Sequence, residues 1–185
     1  MKLSSGFRVL LTTLILLCGI SGSIAAPGDR EYQIKIAFLT NFISYTQWPD
    51  ITRKTESSEF VFCSSSERFV EIARPALKGK QVENKPIRLT AVDPGEEWQC
   101  DLLFILVEEA DLWVKYLSEV DAEGILIVGE RRGFAHEVGN INFFLAGNKL
   151  RFEINLDSLE NSGLKISSRL LRLAKLIRNE ETSND

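Results

Sequence analysis

The chain has 185 residues, 44% of them hydrophobic, and carries 22 Lys and Arg against 26 Asp and Glu, a net charge of −4. That apolar content supports a packed domain and argues against a disordered chain. The acidic balance argues against nonspecific nucleic-acid binding, which needs basic charge to displace counterions.

Residues 1–25 read MKLSSGFRVLLTTLILLCGISGSIA. Lys2 and Arg8 precede an apolar stretch from Val9 to Ile20, and Ser23 and Ala25 give the small side chains a signal peptidase requires. The apolar run is too short to cross a bilayer, so the segment is expected to be a secretory signal peptide, with an uncleaved N-terminal anchor as the alternative. Its removal leaves 160 residues, 26–185, enough for one domain, and takes the net charge to −6. Of three cysteines, Cys18 would leave with the leader, while Leu17 before it does not suit a lipobox. Cys63 and Cys100 remain, an even count for an oxidising compartment, which points to a disulfide; two buried free thiols are the alternative. A closure of this length stabilises by about 4 kcal/mol in the chain-entropy model.

The first mature element, EYQIKIAFLTNFISYTQWP, repeats Ile34, Phe38, Phe42 and Tyr45 at helical spacing, with Ala37 and Trp48 beside them and Leu39 and Ile43 widening the stripe. It is expected to be a largely buried helix ended by Pro49. EFVFC (59–63) reads as a strand. The next segment reads as a helix capped by Ser65 or Ser66 and ended at Gly79, with Pro75 in its last turn. KPIRLTAV alternates as a strand does. DLLFILV (101–107) is apolar throughout, as a central strand covered on both faces must be. EADLWVKYLSEV reads as a helix, and GILIVGE as another buried strand.

In NINFFLAGNKLRFEINL, Gly147-Asn148 supplies the positive φ angles of a tight turn, so residues 140–146 and 149–156 are expected to pair antiparallel. Along the second run Leu150, Phe152, Ile154 and Leu156 point one way, and Arg151, Glu153 and Asn155 the other. Asp157 is placed to cap a short helix that Gly163 ends. Ser167 or Ser168 is placed to cap a final helix, with Ile166, Leu170, Leu173, Ala174 and Ile177 on its apolar side. Lys165, Arg169, Arg172, Lys175 and Arg178 fall on its basic side. The alternation of elements gives a single α/β domain, a mixed β-sheet flanked by helices with a C-terminal antiparallel hairpin.

Little in this chain points to catalysis. His136 is the only histidine and sits in a loop without the base, orienter and nucleophile of a triad. Metal binding needs more clustered ligands. The glycines of GILIVGERRG form neither GxGxxG nor a P-loop. Glu96-Glu97 and Glu108-Glu109 read as solvated charge. The row Arg151, Glu153, Asn155 is the exception: three different polar groups on one strand face can line a ligand cleft, contact a partner, or form an exposed, ion-paired edge.

Several of these stretches together resemble the YfiR family: IKIAFLTNFISYTQWP, FVFC followed by SSSERF, CDLLFI, and above all ILIVGERRGFAHEVGNINFFLAGNKLRFEINLDSLENSGLKISSRLLRLAKLI. The resemblance covers nearly the whole mature chain. It implies an α/β fold, a periplasmic location and a disulfide between Cys63 and Cys100. It also implies a role without catalysis: binding the periplasmic domain of an inner-membrane diguanylate cyclase and inhibiting cyclic-di-GMP synthesis; no cofactor or metal is expected. An outer-membrane lipoprotein would sequester the repressor, and a homodimer would match a dimeric cyclase. The family's namesake has a second cysteine pair in its C-terminal half, which this chain lacks. The rival readings are a periplasmic sensor that binds a small molecule beside Arg151, Glu153 and Asn155 and reports to a membrane receptor such as a histidine kinase, and a hydrolase with an unrecognised site.

Overall fold

The computed structural model describes residues 27–49, 58–96 and 99–179. The expected signal peptide and its boundary at residues 25 and 26 lie outside the described residues.

The chain opens with α1 (Pro27–Tyr45), where a proline in the first turn costs no hydrogen bond. The two-residue β1 (Thr46–Gln47) follows, then β2 (Phe60–Ser64), α2 (Glu67–Leu77), β3 (Gln81–Val82), β4 (Lys85–Ala91) and β5 (Leu102–Ile105). A single 3-10 turn leads into α3 (Ala110–Leu117), followed by β6 (Leu126–Gly129), α4 (Phe134–Glu137), β7 (Ile141–Ala146) and β8 (Lys149–Asn155). The chain then forms α5 (Leu156–Asn161), β9 (Lys165–Ile166), α6 (Ser168–Leu171) and β10 (Lys175–Ile177).

Eight strands form one sheet in the order β10-β8-β7-β6-β5-β2-β4-β3, and β1 pairs with β9 separately. β4, β2, β5, β6 and β7 are mutually parallel. β8 returns antiparallel to β7, and β10 runs parallel to β8. From β2 the chain first steps outward to β4, then crosses back to β5 and continues to β6 and β7. Right-handed crossovers place helices on opposite faces when the direction of travel reverses. Accordingly α2 packs on one face with α1, and α3 and α4 on the other.

Strand alternation builds both cores. Phe60, Phe62, Leu102, Phe104, Leu126, Val128, Ile141, Phe143, Phe152 and Ile154 point to the first face, beneath α1 and α2. Val61, Cys63, Leu103, Ile105 and Ile127 point to the second, against Ala110, Trp113, Leu117 and Phe134. Phe42 is fully buried in the first core, its ring 4.9 Å from Phe152 and 5.5 Å from Phe143.

The local signals act as expected at several points. Ser66 caps α2, its hydroxyl accepting from the Phe69 N–H, and Gly79 follows the helix at φ 75°. Ala146 pairs with Lys149 across Gly147-Asn148, closing the two-residue hairpin as expected, though of the two turn residues only Gly147 takes a positive φ, 59°.

Four expectations are corrected. The buried stripe of α1 is turned by about one residue: Lys35, Ile36, Leu39, Phe42 and Ile43 are buried, whereas Ile34 and Ala37 are exposed. Lys35 sets this rotation by burying its stem to reach Glu130. The helix ends at Tyr45 rather than Pro49, because Thr46 and Gln47 pair with Ile166 and Lys165. The cap of α5 is Asn155, whose side-chain oxygen accepts from the Asp157 and Ser158 N–H groups; Asp157 itself binds Arg178 and the Asn179 N–H. The final helix is a single turn capped by Ser167, after which Lys175–Ile177 joins the sheet. β8 would otherwise present an unpaired edge, and pairing with it satisfies backbone groups that an isolated helix could not.

The glycines of GERRGFAHEVG have a packing role. A Cβ on Gly129 would lie 2.2 Å from the Phe134 ring, and one on Gly139 2.6 Å from it, so both residues must be bare for that ring to be buried. Gly133 stands at φ 83°, a left-handed conformation that glycine adopts without strain.

Candidate functional site

In a doubly wound sheet the usual ligand position is the crevice at the carboxyl ends of the strands, where the connection reverses. Here that point lies between β2 and β5, and the protein's own side chains occupy it. The Leu106 N–H donates to Ser65 Oγ at 3.0 Å, and Ser65 Oγ donates to Glu109 Oε2 at 3.2 Å. The Val107 N–H donates to Glu130 Oε1 at 3.2 Å, while Lys35 Nζ pairs with both Glu130 and Glu31. Burial alone would lower the Lys35 pKa, but its hydrogen bonds to Glu130 and Glu31 outweigh it and hold the ammonium above its ordinary value. Burial raises the Glu109 carboxyl; Ser65 opposes this, and the nearby charges of Glu108 and Glu130 add to it. The cluster is a self-satisfied lock between α1 and the sheet.

The polar row on β8 lies on the second face. α3 and α4 pack there, α4 reaching over β6 and β7 to β8, and the sheet beyond β7 turns from apolar to polar. Hairpin pairing sets Asn142 opposite Glu153 and Phe144 opposite Arg151, and β10 adds Lys175 beside Glu153. Glu153 is buried, at 6% exposure; it accepts from Asn142 Nδ2 at 3.4 Å and from Lys175 Nζ at 3.0 Å. Lys175 also lies over the Phe144 ring, 5.9 Å from its centre. Arg151 is exposed and makes no ion pair among the described residues. Asn155, 1% exposed, donates to the Ala135 carbonyl at 2.6 Å and to Asn179 Oδ1 at 2.8 Å while capping α5. The three predicted residues therefore share a face but differ in situation. Arg151 is free at the surface, Glu153 is a buried counter-charge, and Asn155 ties α4, α5 and the C-terminal segment together.

What solvent meets on this face is Arg151, the half-buried Phe144 and the ammonium of Lys175, with Glu153 beneath. Phe144 and Asn142 were absent from the sequence-predicted site, although the hairpin register locates both. Lys175 was hidden by its assignment to a helix.

Cys63 and Cys100 are joined, with Cα atoms 5.8 Å apart. The bond links β2 to the residue just before Asp101 and β5, within the second core. Asp101 there accepts the Val61 N–H at 2.6 Å through its carboxylate and Trp48 Nε1 at 3.1 Å through its carbonyl. His136 lies exposed on α4. Among the described residues no group of three or more His, Cys, Asp or Glu could hold a metal ion, and no helix is long and apolar enough to cross a membrane.

Together these features define a class: a disulfide-linked, doubly wound α/β domain with a self-filled strand-end crevice and an exposed Arg151 and Lys175 beside Phe144 on its C-terminal hairpin. A family model described as YfiR/HmsC-like matches residues 32–175, from α1 to the start of β10. The chain belongs to that family.

Proposed function

We propose that the protein acts in the periplasm as a non-catalytic regulator, binding the periplasmic part of an inner-membrane diguanylate cyclase and restraining cyclic-di-GMP synthesis. Membership of the YfiR/HmsC-like family supports this reading. So does the Cys63–Cys100 bond, which suits an oxidising compartment. The observation that carries the choice of surface is the exposed cation of Arg151 beside Phe144 and Lys175 at the hairpin end of this sheet face. Aromatic and Arg side chains are enriched in interface cores, and a desolvated Arg discriminates strongly between partners. The complementary partner surface is acidic with an apolar centre.

Inhibition requires tighter binding to one conformation of the cyclase than to the other, since equal affinity shifts nothing. A 100-fold bias corresponds to about 2.7 kcal/mol, within reach of an ordinary interface. An outer-membrane lipoprotein that covers the same face would relieve the inhibition, and a homodimer would present it twice to a dimeric cyclase. The test is binding of the purified protein to the isolated periplasmic domain of the host's membrane cyclase. Wild type is expected to bind, and Arg151→Glu to bind at least about tenfold more weakly with its fold intact. Equal binding by both proteins would remove this face from the proposal; no binding by wild type would remove the cyclase.

A further inference from the structure

A second concavity lies on the same side of the sheet, between the C-terminal end of α3, α4 and α5. Its larger lobe measures about 360 Å³ and its smaller lobe about 160 Å³, both open to solvent. Ala122, Ile127, Val138, Ser158 and Asn161 line both lobes, so the two form one continuous groove. The larger lobe alone falls within the range of small-molecule sites, roughly 300–1,000 Å³.

The groove is built from rigid parts. Asn140, 2% exposed, accepts the Ile127 N–H at 2.7 Å and donates to Ser158 Oγ at 2.9 Å and Ser162 Oγ at 3.2 Å. Asn155 fixes the opposite end through the Ala135 carbonyl and Asn179. These buried amides hold Ser158 against an apolar floor of Leu117, Ile127 and Val138. The carboxamide of Asn161 is exposed and has no hydrogen-bond partner among the described residues. Ser118 stands at the rim.

Charge narrows the ligand class. No Lys, Arg or His lines either lobe, and Asp121, Glu123 and Glu137 stand at the edges, so anions are disfavoured. Asp121 and Glu123 line only the smaller lobe, where Asp121 Oδ1 accepts the Glu123 N–H at 3.0 Å, and Glu137, the one charged residue lining the larger lobe, is already paired with Arg131 at 2.7 Å. The remaining recognition groups of the larger lobe are neutral amide and hydroxyl beside an aliphatic floor. We propose that this groove binds a neutral small molecule bearing hydroxyl and amide groups, of the size and character of an N-acetylated hexosamine. Asn161 and Ser158 would meet its polar edge, and Ile127 and Val138 its apolar face. The proposal does not rest on the regulatory reading, and neither stands or falls with the other.

The experiment is an amide chemical-shift titration of the intact protein with N-acetylglucosamine, and in parallel with glucosamine, the same ring bearing an ammonium, and glucose 6-phosphate, its anionic counterpart. N-acetylglucosamine is expected to give saturable shifts centred on Gly139, Ser158 and Asn161. Asn161→Leu and Ser118→Trp, both at exposed positions, are each expected to weaken binding by about tenfold. Absent or scattered shifts, tighter saturation by either charged probe, or variants that bind as wild type does would overturn it.

Discussion

Consider the replacement of both Cys63 and Cys100 by Ala. The bond closes a separation of 37 residues. The chain-entropy model assigns such a closure about 4 kcal/mol, acting through the unfolded chain. Cys63 is fully buried against Val61 and Leu103, so loss of its sulfur adds a small void and about 1 kcal/mol more. Against a typical domain stability of about 5–15 kcal/mol this is a large fraction. For a chain of this size it corresponds to a fall in Tm of roughly 10–20 °C. Urea and thermal unfolding of the oxidised wild type, the reduced wild type and the double variant give the comparison. The reduced and doubly substituted proteins should both unfold well below the oxidised one, the double variant lower than the reduced protein by about 1 kcal/mol. Midpoints of all three within the equivalent of about 1 kcal/mol would show that the loop between the cysteines is already restricted in the unfolded chain, and would refute the reasoning.

Other outcomes follow from single contacts. Gly129→Ala drives a methyl into the Phe134 ring and should cost about 1–3 kcal/mol in urea unfolding, part of it recovered by adding Phe134→Leu. Asn155→Ala removes the α5 cap and leaves the Ala135 carbonyl without its donor; a loss of about 1–3 kcal/mol is expected, smaller for Asn155→Asp, which keeps the cap acceptor. Glu109→Gln tests the strand-end lock through pH. The carboxyl is raised above its ordinary value near 4.5 in the fold, so its contribution is fully present below that value and is lost as pH rises through the folded pKa. The stability of the variant relative to wild type should therefore increase from pH 4.5 towards neutrality; a difference that is flat across this range would contradict the assignment.

The parts of the fold legible in the sequence were those set by short-range chemistry. DLLFILV read as a covered strand, of which Leu102–Ile105 pairs, Gly147-Asn148 as a tight turn, and Ser65 or Ser66 with Gly79 as the ends of α2, where Ser66 proves to be the cap. Where distant partners decided, pattern alone was insufficient. Ile166, Leu170, Leu173, Ala174 and Ile177 suit a helix, yet the open edge of β8, Glu153 and Asp157 draw Lys175 and Arg178 into an extended segment. The hydrophobic stripe on α1 was read about one residue out of place because a pattern of apolar residues takes no account of Lys35, whose buried pairing with Glu130 spans 95 positions of sequence. β3 escaped notice because its turn uses Glu83 and Asn84 at positive φ rather than glycine. In the candidate site the face of Arg151, Glu153 and Asn155 followed from alternation. Their differing burial did not, since it depends on Lys175, on Asn142 and on the position of α4.

The most direct measurement is cyclic-di-GMP in the native host, with the gene deleted and then restored as wild type or as Arg151→Glu, each confirmed in the periplasm at equal level. The account predicts a rise on deletion, reversal by wild type and no reversal by the variant. Unchanged cyclic-di-GMP on deletion, in cells that normally make and export the protein, would contradict it.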